Sequence, residues 1–399
     1  MTLTARTVEL QEVVRFASGG TPSKSNPANW GGVVPWVSAK DLKTLNLHDS
    51  QDHLTKLGAK ATNLAPAGSV LVLVRGMTLL KDLPVGVTMR PMAFNQDVKA
   101  LYCTDGLRPY YLAYYLISRK QEILQSVETA GHGTGRLDTD FLKTFPIELP
   151  GLDKQDDIIK VIGEWDTAIE KATALLAALE QRKQGLMQQL LTGRRRLKGF
   201  KAKWKMSRAD QLFDDIAKRS QLNEQLLSVT QDRGVIPRTM LVGRVTMPSG
   251  DVNSFKLVEP DNFVISLRSF QGGLEHSAYR GLVSPAYTVL EADTAKVHAP
   301  YFRQYFKSVD FLHRLSVAVV GIRDGKQISY TDFKSIKLPL PPLPEQEAIA
   351  TLLDFADSEI GLAVQRAEQL RTQKRALMQK LLSGNWHMPK TALLKEFSA

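Results

Sequence analysis

KQGLMQQLLTG at residues 183–193 returns as KRALMQKLLSG at residues 374–384, and this repetition at a shift of 191 constrains the fold more than any other feature. The same shift aligns LDKQDDIIKVIGEWDTAIEKATALLAALEQRKQGLMQQLLTG (152–193) with LPEQEAIATLLDFADSEIGLAVQRAEQLRTQKRALMQKLLSG (343–384) without a gap, at roughly a third identity. It also carries Pro109, Tyr110, Tyr111, Tyr114 and Tyr115 onto Pro300, Tyr301, Phe302, Tyr305 and Phe306. With a two-residue slip, VLVLVRG (70–76) meets FVISLRS (263–269), which sets Arg75 opposite Arg268. The chain reads as a tandem duplication.

Each copy passes through short β-like stretches, an aromatic helix, a Gly-rich turn and a Pro-containing strand (FPIELPG, IKLPLPP), and ends in a long helix. In the first long helix Ile162, Ile169, Leu176 and Leu190 hold one sevenfold line, broken only by Lys183, and Trp165, Ala172, Leu179 and Leu186 hold the other. In the second, Leu353, Ile360, Ala367, Lys374 and Leu381 face Ala356, Ala363, Leu370 and Leu377. These are coiled-coil seams, with Asp153 and Asp156, or Pro344 and Glu345, at their starts and Gly193 and Gly384 at their ends. Each arm could pack on its own domain as ordinary core, but two similar seams in one chain more naturally bury each other, and antiparallel pairing would relate the copies by a pseudo-twofold axis. The expected class is α+β: two mixed α/β domains, 1–150 and 197–342, separated by two long helices forming an antiparallel coiled coil, 151–196 and 343–385, with a tail at 386–399. The tyrosines at 110, 111, 114 and 115 follow the spacing of a buried helix face, so they read as core and not as a base-stacking platform.

The chain has 399 residues, 43% of them hydrophobic and 23% charged, as in ordinary globular proteins. It has no run of about 18 apolar residues and no apolar leader at its start, so a cytoplasmic location is expected. The net charge of +11 points to a polyanionic partner. It divides into +3 for residues 1–150, +1 for 151–196, +7 for 197–340 and zero for 341–399. Motifs for chemistry are missing. There is no GxxxxGK[ST] loop, GHGTGR (131–136) lacks the third glycine of a dinucleotide fingerprint and precedes a strand, and no Asn/Asp-Pro-Pro-aromatic methyltransferase motif occurs. Tripeptides such as DVK (97–99) and DFK (332–334) are too common to mark a nuclease site. Seven scattered His and the single Cys103 offer neither a metal cluster nor a nucleophile and base, so Cys103 reads as a small buried side chain.

GGTPSKSNPANWGGVVPWVSAKDL (19–42), AFNQDVKAL (93–101), RGVIPR (233–238), GLVSPAYTV (281–289) and LPLPPLPEQEAI (338–349), with the duplicated arms, resemble the specificity subunit of Type I restriction-modification systems. The resemblance implies two target recognition domains that each read half of a split, asymmetric site in double-stranded DNA. It implies no catalysis and no cofactor in this chain. Two methyltransferase subunits, which use S-adenosylmethionine on adenine, and restriction subunits that translocate and cut with ATP and Mg²⁺ would be the partners. No membrane association is implied. One departure stands out: PLPEQ in the second copy is PGLDKQ in the first, which reverses Glu345 to Lys154 and would make two partner-docking turns unequal. A competing reading keeps the coiled-coil scaffold but lets its basic domains bind nucleic acid without sequence choice.

The candidate DNA-contacting residues are polar or cationic groups at turns and strand ends. Ser18, Gly19, Gly20, Thr21, Ser23 and Lys24 form a small polar loop whose backbone could approach phosphates or base edges. Lys40 follows beside Asp41, while Trp36 reads as core. Arg75 and Arg268 close equivalent strands, where a guanidinium can fork onto guanine, clamp a phosphate or form a structural salt bridge. His132, Thr134 and Arg136 occupy the turn after the aromatic helix, and Arg233, Arg238, Arg244, Gln271, Arg323 and Lys326 complete the set in the second domain.

Overall fold

The duplicated stretches form four helices in the computed structural model, α1 (Pro109–Ser118), α2 (Leu152–Leu190), α3 (Ala299–Tyr305) and α4 (Leu343–Leu382). The structure describes residues 6–130, 133–219, 224–241, 254–266, 273–318 and 328–383. It divides into two units, residues 1–172 with 366–399 and residues 173–365, so each unit takes part of both long helices.

In the first unit VLVL forms β7 (Val70–Leu73), the middle strand of a five-stranded sheet ordered β2 (Val14–Ser18), β11 (Val98–Cys103), β7, β9 (Val85–Thr88), β4 (Asn46–Leu47). All four β7 side chains are buried, as an uninterrupted apolar run demands of a strand covered on both faces. A second sheet runs β5 (Asp52–Leu54), β3 (Trp30–Val37), β10 (Met92–Phe94), β6 (Leu64–Ala65). A third runs β12 (Val127–Ala130), β13 (Thr134–Leu137), β8 (Arg75–Gly76), and β1 (Arg6–Glu9) pairs with β14 (Pro146–Leu149). Parallel pairs β3–β10 and β4–β9 among antiparallel ones make this a mixed architecture. Proline at the first position of α1 starts the helix that packs on β7 and β9. Tyr111, Tyr114 and Tyr115 are buried, and their hydroxyls donate to Glu148 O, Asp166 Oδ2 and Pro146 O at 2.7, 2.7 and 3.1 Å. Apolar bodies with satisfied polar tips are core residues, as the spacing predicts. Trp36 is likewise core, its indole N–H donating to Gly20 O at 2.9 Å. Cys103 is half-buried at the end of β11, with its thiol pushed up to about 12 by burial. Ile158 and Ile162 of α2 share this unit's core with Met378, Leu381 and Leu382 of α4, and Lys374 donates to Asp166 across the seam.

The second unit is built on Phe213, whose ring meets Phe302 at 5.2 Å, Phe306 at 5.4 Å and Phe263 at 5.7 Å. Its main sheet is antiparallel, ordered β16 (Phe213–Ile216), β23 (Thr288–Ala292), β20 (Phe263–Ile265), β21 (Glu275–His276). Three antiparallel pairs join it: β15 (Lys205–Arg208) with β24 (Lys337–Leu340), β17 (Leu227–Thr230) with β18 (Gly234–Pro237), and β19 (Lys256–Val258) with β22 (Gly281–Val283). Lys183 pairs with Asp357 and Arg182 with Glu359, so residue numbers fall along α4 as they rise along α2. The two helices are antiparallel, and the heptad lines supply their less exposed side chains, as the spacing predicts. Gly193 ends α2 with φ of +70°, its expected left-handed cap; Gly384 lies outside the described residues.

The same clamp joins helix to domain in both units. Gln155 is fully buried, donates to Gly106 O and Pro150 O at 3.0 and 2.9 Å and accepts the Arg108 N–H at 2.8 Å. Gln346, 191 positions on, donates to Lys296 O and Pro341 O at 2.8 and 2.9 Å and accepts the His298 N–H at 2.8 Å. The residue before it differs between the copies. Glu345 is fully buried, bound by Arg196 through Nε and Nη2 at 2.5 Å and by the Trp204 indole at 2.9 Å, whereas Lys154 is half-buried. The reversal of charge therefore changes internal bracing of the turn; the Glu345 carboxylate is not a docking surface.

Candidate nucleic-acid interface

One end of the five-stranded sheet gathers most of the first unit's candidates. β2 ends at Ser18 and β11 begins at Val98 beside it, with Ser18 opposite Lys99. The turn after β2 hangs on the segment leading into β11: the Gly20 N–H donates to Phe94 O at 2.9 Å, and Thr21 Oγ1 donates to Gln96 Oε1 at 2.6 Å. Lys99 Nζ donates to Ser18 Oγ at 2.5 Å, and Asn63 Nδ2 holds Ser18 O at 2.7 Å. A Cβ on Gly19 would stand 2.1 Å from Phe94 O, so glycine is required there by close backbone approach. Ser23 O accepts from Asn29 Nδ2 and the Trp30 indole, which braces the turn further. The result is a fixed loop presenting Ser18, Thr21, Ser23 and Lys24 to solvent, while the Gly20 amide already has a partner.

Arg75 joins this end through the same segment, its N–H donating to Asp97 O at 3.2 Å. Its strand β8 pairs antiparallel with β13 so that Arg75 lies directly opposite Arg136, with Glu128 opposite Arg136 on the other side. Both arginines are exposed, and among the described residues neither forms a salt bridge. Like charges directly across a strand pair repel by roughly 0.2–1 kcal/mol, a cost that an anion between them would remove. Thr134, half-buried, begins β13. Lys40 is exposed in a turn organised by Asp41, which accepts from Ser38 N–H and Oγ and from the Gln51 N–H. Asp41 is therefore a turn brace.

In the second unit Arg233 sits in the β17–β18 turn, exposed, with Nη1 donating to Met240 O at 3.2 Å and Nε 3.7 Å from Asp232. Gly234 follows with φ of +72°, and a Cβ there would be 2.5 Å from His276 O. Lys307 ties the turn to β21, donating to Gln231 O at 3.3 Å and Glu275 Oε1 at 2.5 Å; burial raises the Glu275 carboxyl above its usual range and Lys307 opposes it. Arg238 is half-buried at the end of β18. His132, Arg244, Arg268, Gln271, Arg323 and Lys326 lie outside the described residues. Sequence reasoning passed over Asn63, Gln96 and Lys99. Gln96 and Lys99 stand in AFNQDVKAL, but only the β2–β11 register reveals their partners.

Family comparison agrees with this fold. A model described as Type I restriction modification DNA specificity domain matches residues 4–181 and 283–372, and the chain belongs to that family. It is similar to the EcoR124I/EcoR124II specificity subunit of Escherichia coli, 30% identical over 167 residues, which are 41% of this chain and 41% of that protein. It is also similar to the MjaVIII specificity subunit of Methanocaldococcus jannaschii, 24% identical over 403 residues, covering 94% and 92% of the two chains. Thus the match spans under half of the first relative and nearly all of the second. Among solved structures, the Type I S subunit from M. genitalium superposes with a TM-score of 0.56 at 13% identity over 96% of each chain. A chain from a structure on complex assembly and conformational transition of the type I R-M system gives 0.60 at 17%, over 96% and 98%. At such identities the likeness establishes the fold, with its tandem α+β domains and long helices.

Proposed function

We propose that this chain is the sequence-reading subunit of a Type I restriction-modification complex. Each unit reads one half of a bipartite duplex site, and the long helices set the gap between halves. The halves differ, because SGGTPSKSNPANW in the first domain has no likeness to TQDRGVIPRTM in the second. The chain is not itself an enzyme. Two methyltransferase subunits using S-adenosylmethionine and restriction subunits using ATP and Mg²⁺ supply the chemistry. The observation that carries this reading is the apposition of Arg75 and Arg136 beside the rigid Ser18–Lys24 turn. Two exposed guanidiniums, without a salt bridge among the described residues and next to a hydroxyl-rich loop, suit a phosphate and the guanine edge beside it.

Mapping methylated adenines in host DNA with and without the gene yields the motif. Salt titrations of the full chain with its methyltransferase partner, on matched and scrambled duplexes, then test the reading. A matched duplex bound at least a hundredfold more tightly at physiological salt is expected. Equal affinity for both would leave only a scaffold that binds nucleic acid without sequence choice.

A further inference from the structure

The connector between α2 and β15 concentrates charge in a way the base-reading turns do not. From 194 to 205 it reads RRRLKGFKAKWK, seven cations and no carboxylate, against a net charge of +11 for the whole chain. One of the seven faces inward: Arg196 binds the buried Glu345 and donates from Nη2 to Ala202 O at 2.9 Å, closing residues 197–201 into a loop. Trp204 donates to the same carboxylate, lies under the Arg196 guanidinium at 5.2 Å and abuts Gly193. Leu197 packs on the second unit's core. The other six, Arg194, Arg195, Lys198, Lys201, Lys203 and Lys205, are exposed, and among the described residues none has an ion-pair partner.

Elsewhere in the second unit many cations are matched, and those without an ion pair among the described residues, such as Arg219, Lys256 and Lys337, stand apart in sequence. Lys218 meets Glu259 and Glu291, Arg280 meets Glu224 and Glu259, and Arg303, Lys307 and Arg314 each have a carboxylate. An anchored loop with six unmatched cations is a preorganised polyanion surface, since the backbone entropy of holding the charges together is already lost on folding. The polyanion is duplex DNA. Four of the six are lysines, the residue protein–protein interfaces deplete, and the aromatic rings that would anchor a protein partner, Phe200 and Trp204, are half-buried against the chain itself. Six cations, four of them lysine point charges, fit phosphates.

We propose that Arg194–Lys205 is a second, sequence-independent contact with the DNA backbone, separate from the Ser18–Lys24 turn and the β12–β13 hairpin. This rests on the reading that the chain binds duplex DNA. Converting the six exposed cations to Gln in the full chain should weaken binding to matched and scrambled duplexes alike, by at least tenfold. The slope of log affinity against log salt should become shallower by about 3 or more, at roughly 0.9 per lost phosphate contact. The ratio between the two duplexes should be kept. A Lys198, Lys201, Lys203→Gln variant should give about half that slope change, and a variant exchanging Lys for Arg and Arg for Lys at all six positions should keep the original slope. An unchanged slope and affinity in the six-site variant, with a native melt, overturns the proposal. So does unchanged duplex binding with loss of partner-subunit assembly, which would assign the connector to an acidic protein. A wild-type chain that cannot tell matched from scrambled duplexes defeats the proposed function instead, and the slope comparison still reports on the connector.

Discussion

Lys374 donates to Asp166 Oδ1 at 2.5 Å, and Lys183 donates to Asp357 Oδ1 at 2.6 Å, so the second pair is the first moved by 191 residues with the helices exchanged. Each lysine breaks a heptad line of Ile, Leu and Ala, and each is mostly buried, with side-chain exposures of 16% and 19%. A cation at a seam position is tolerated only where a carboxylate meets it, so the pair selects direction and register while contributing little net stability. Asp166 is also held by the Tyr114 hydroxyl, and Asp357 by Gln304 Nε2 at 2.8 Å.

Removing one partner should therefore hurt more than removing both. Lys374→Ala is expected to cost about 1–3 kcal/mol, and the Lys374→Ala, Asp166→Ala double variant should show coupling of about 0.5–3 kcal/mol by chemical denaturation. Strict additivity would mean that the contact does not specify the seam.

The constant register offers a clean place to lengthen the spacer. One heptad inserted after Leu179 and one after Ile360, at points that lie opposite each other in the register of Lys183 and Asp357, leaves both ion pairs intact. Seven residues add about 10 Å, or roughly 3 base pairs at 3.4 Å each. The methylated motif, mapped by sequencing, should keep its two half-sites and widen its gap. A methylating variant with an unchanged gap would mean that the domains set the spacing.

Arg136→Ala should separate folding from binding. Relief of repulsion from Arg75 is offset by loss of the Glu128 carboxylate opposite, so the stability of the free chain should change by less than about 1 kcal/mol. Duplex affinity should fall by about 1–3 kcal/mol at one half-site if a base is read. A phosphate contact would instead weaken every duplex equally and lower the salt slope by about 1.

Glu345→Ala strands Arg196 beside an apolar core and leaves the Trp204 indole without its acceptor. A loss of about 1–3 kcal/mol is expected in the melt of the second unit. Lys154→Ala, at the corresponding position of the first unit, should stay within about 0.5 kcal/mol. Equal effects would contradict the unequal bracing of the two turns.

Cys103 supplies a pH test. Its folded pKa of about 12 lies above the ordinary thiol value, so the folded chain holds a proton that the unfolded chain loses. Its contribution to stability is complete below about pH 8.5 and declines from there as pH rises toward 12. At pH 8 the folded thiol should react much more slowly with a disulfide reagent than the unfolded one. Fast labelling of the native chain would place Cys103 in water.

Much of this molecule is legible in its sequence because the relevant signals are local or periodic. The 191-residue repeat, the sevenfold lines and the tyrosine spacing depend only on helix geometry, and they reappear in α1, α2, α3 and α4, with α3 ending at Tyr305, earlier than its counterpart α1. Prolines and glycines at helix ends, such as Pro109 and Gly193, act within a few residues and are equally readable. What the tertiary structure alone decided are pairings across long sequence separations. Arg75 meets Arg136 only through the β8–β13 register, Lys99 reaches Ser18 only across β2 and β11, and Glu345 is internal only because Arg196 and Trp204 fold back onto it. Side-chain type states what a residue is able to do; the strand register and the packing of distant segments decide which partner is near enough to do it with.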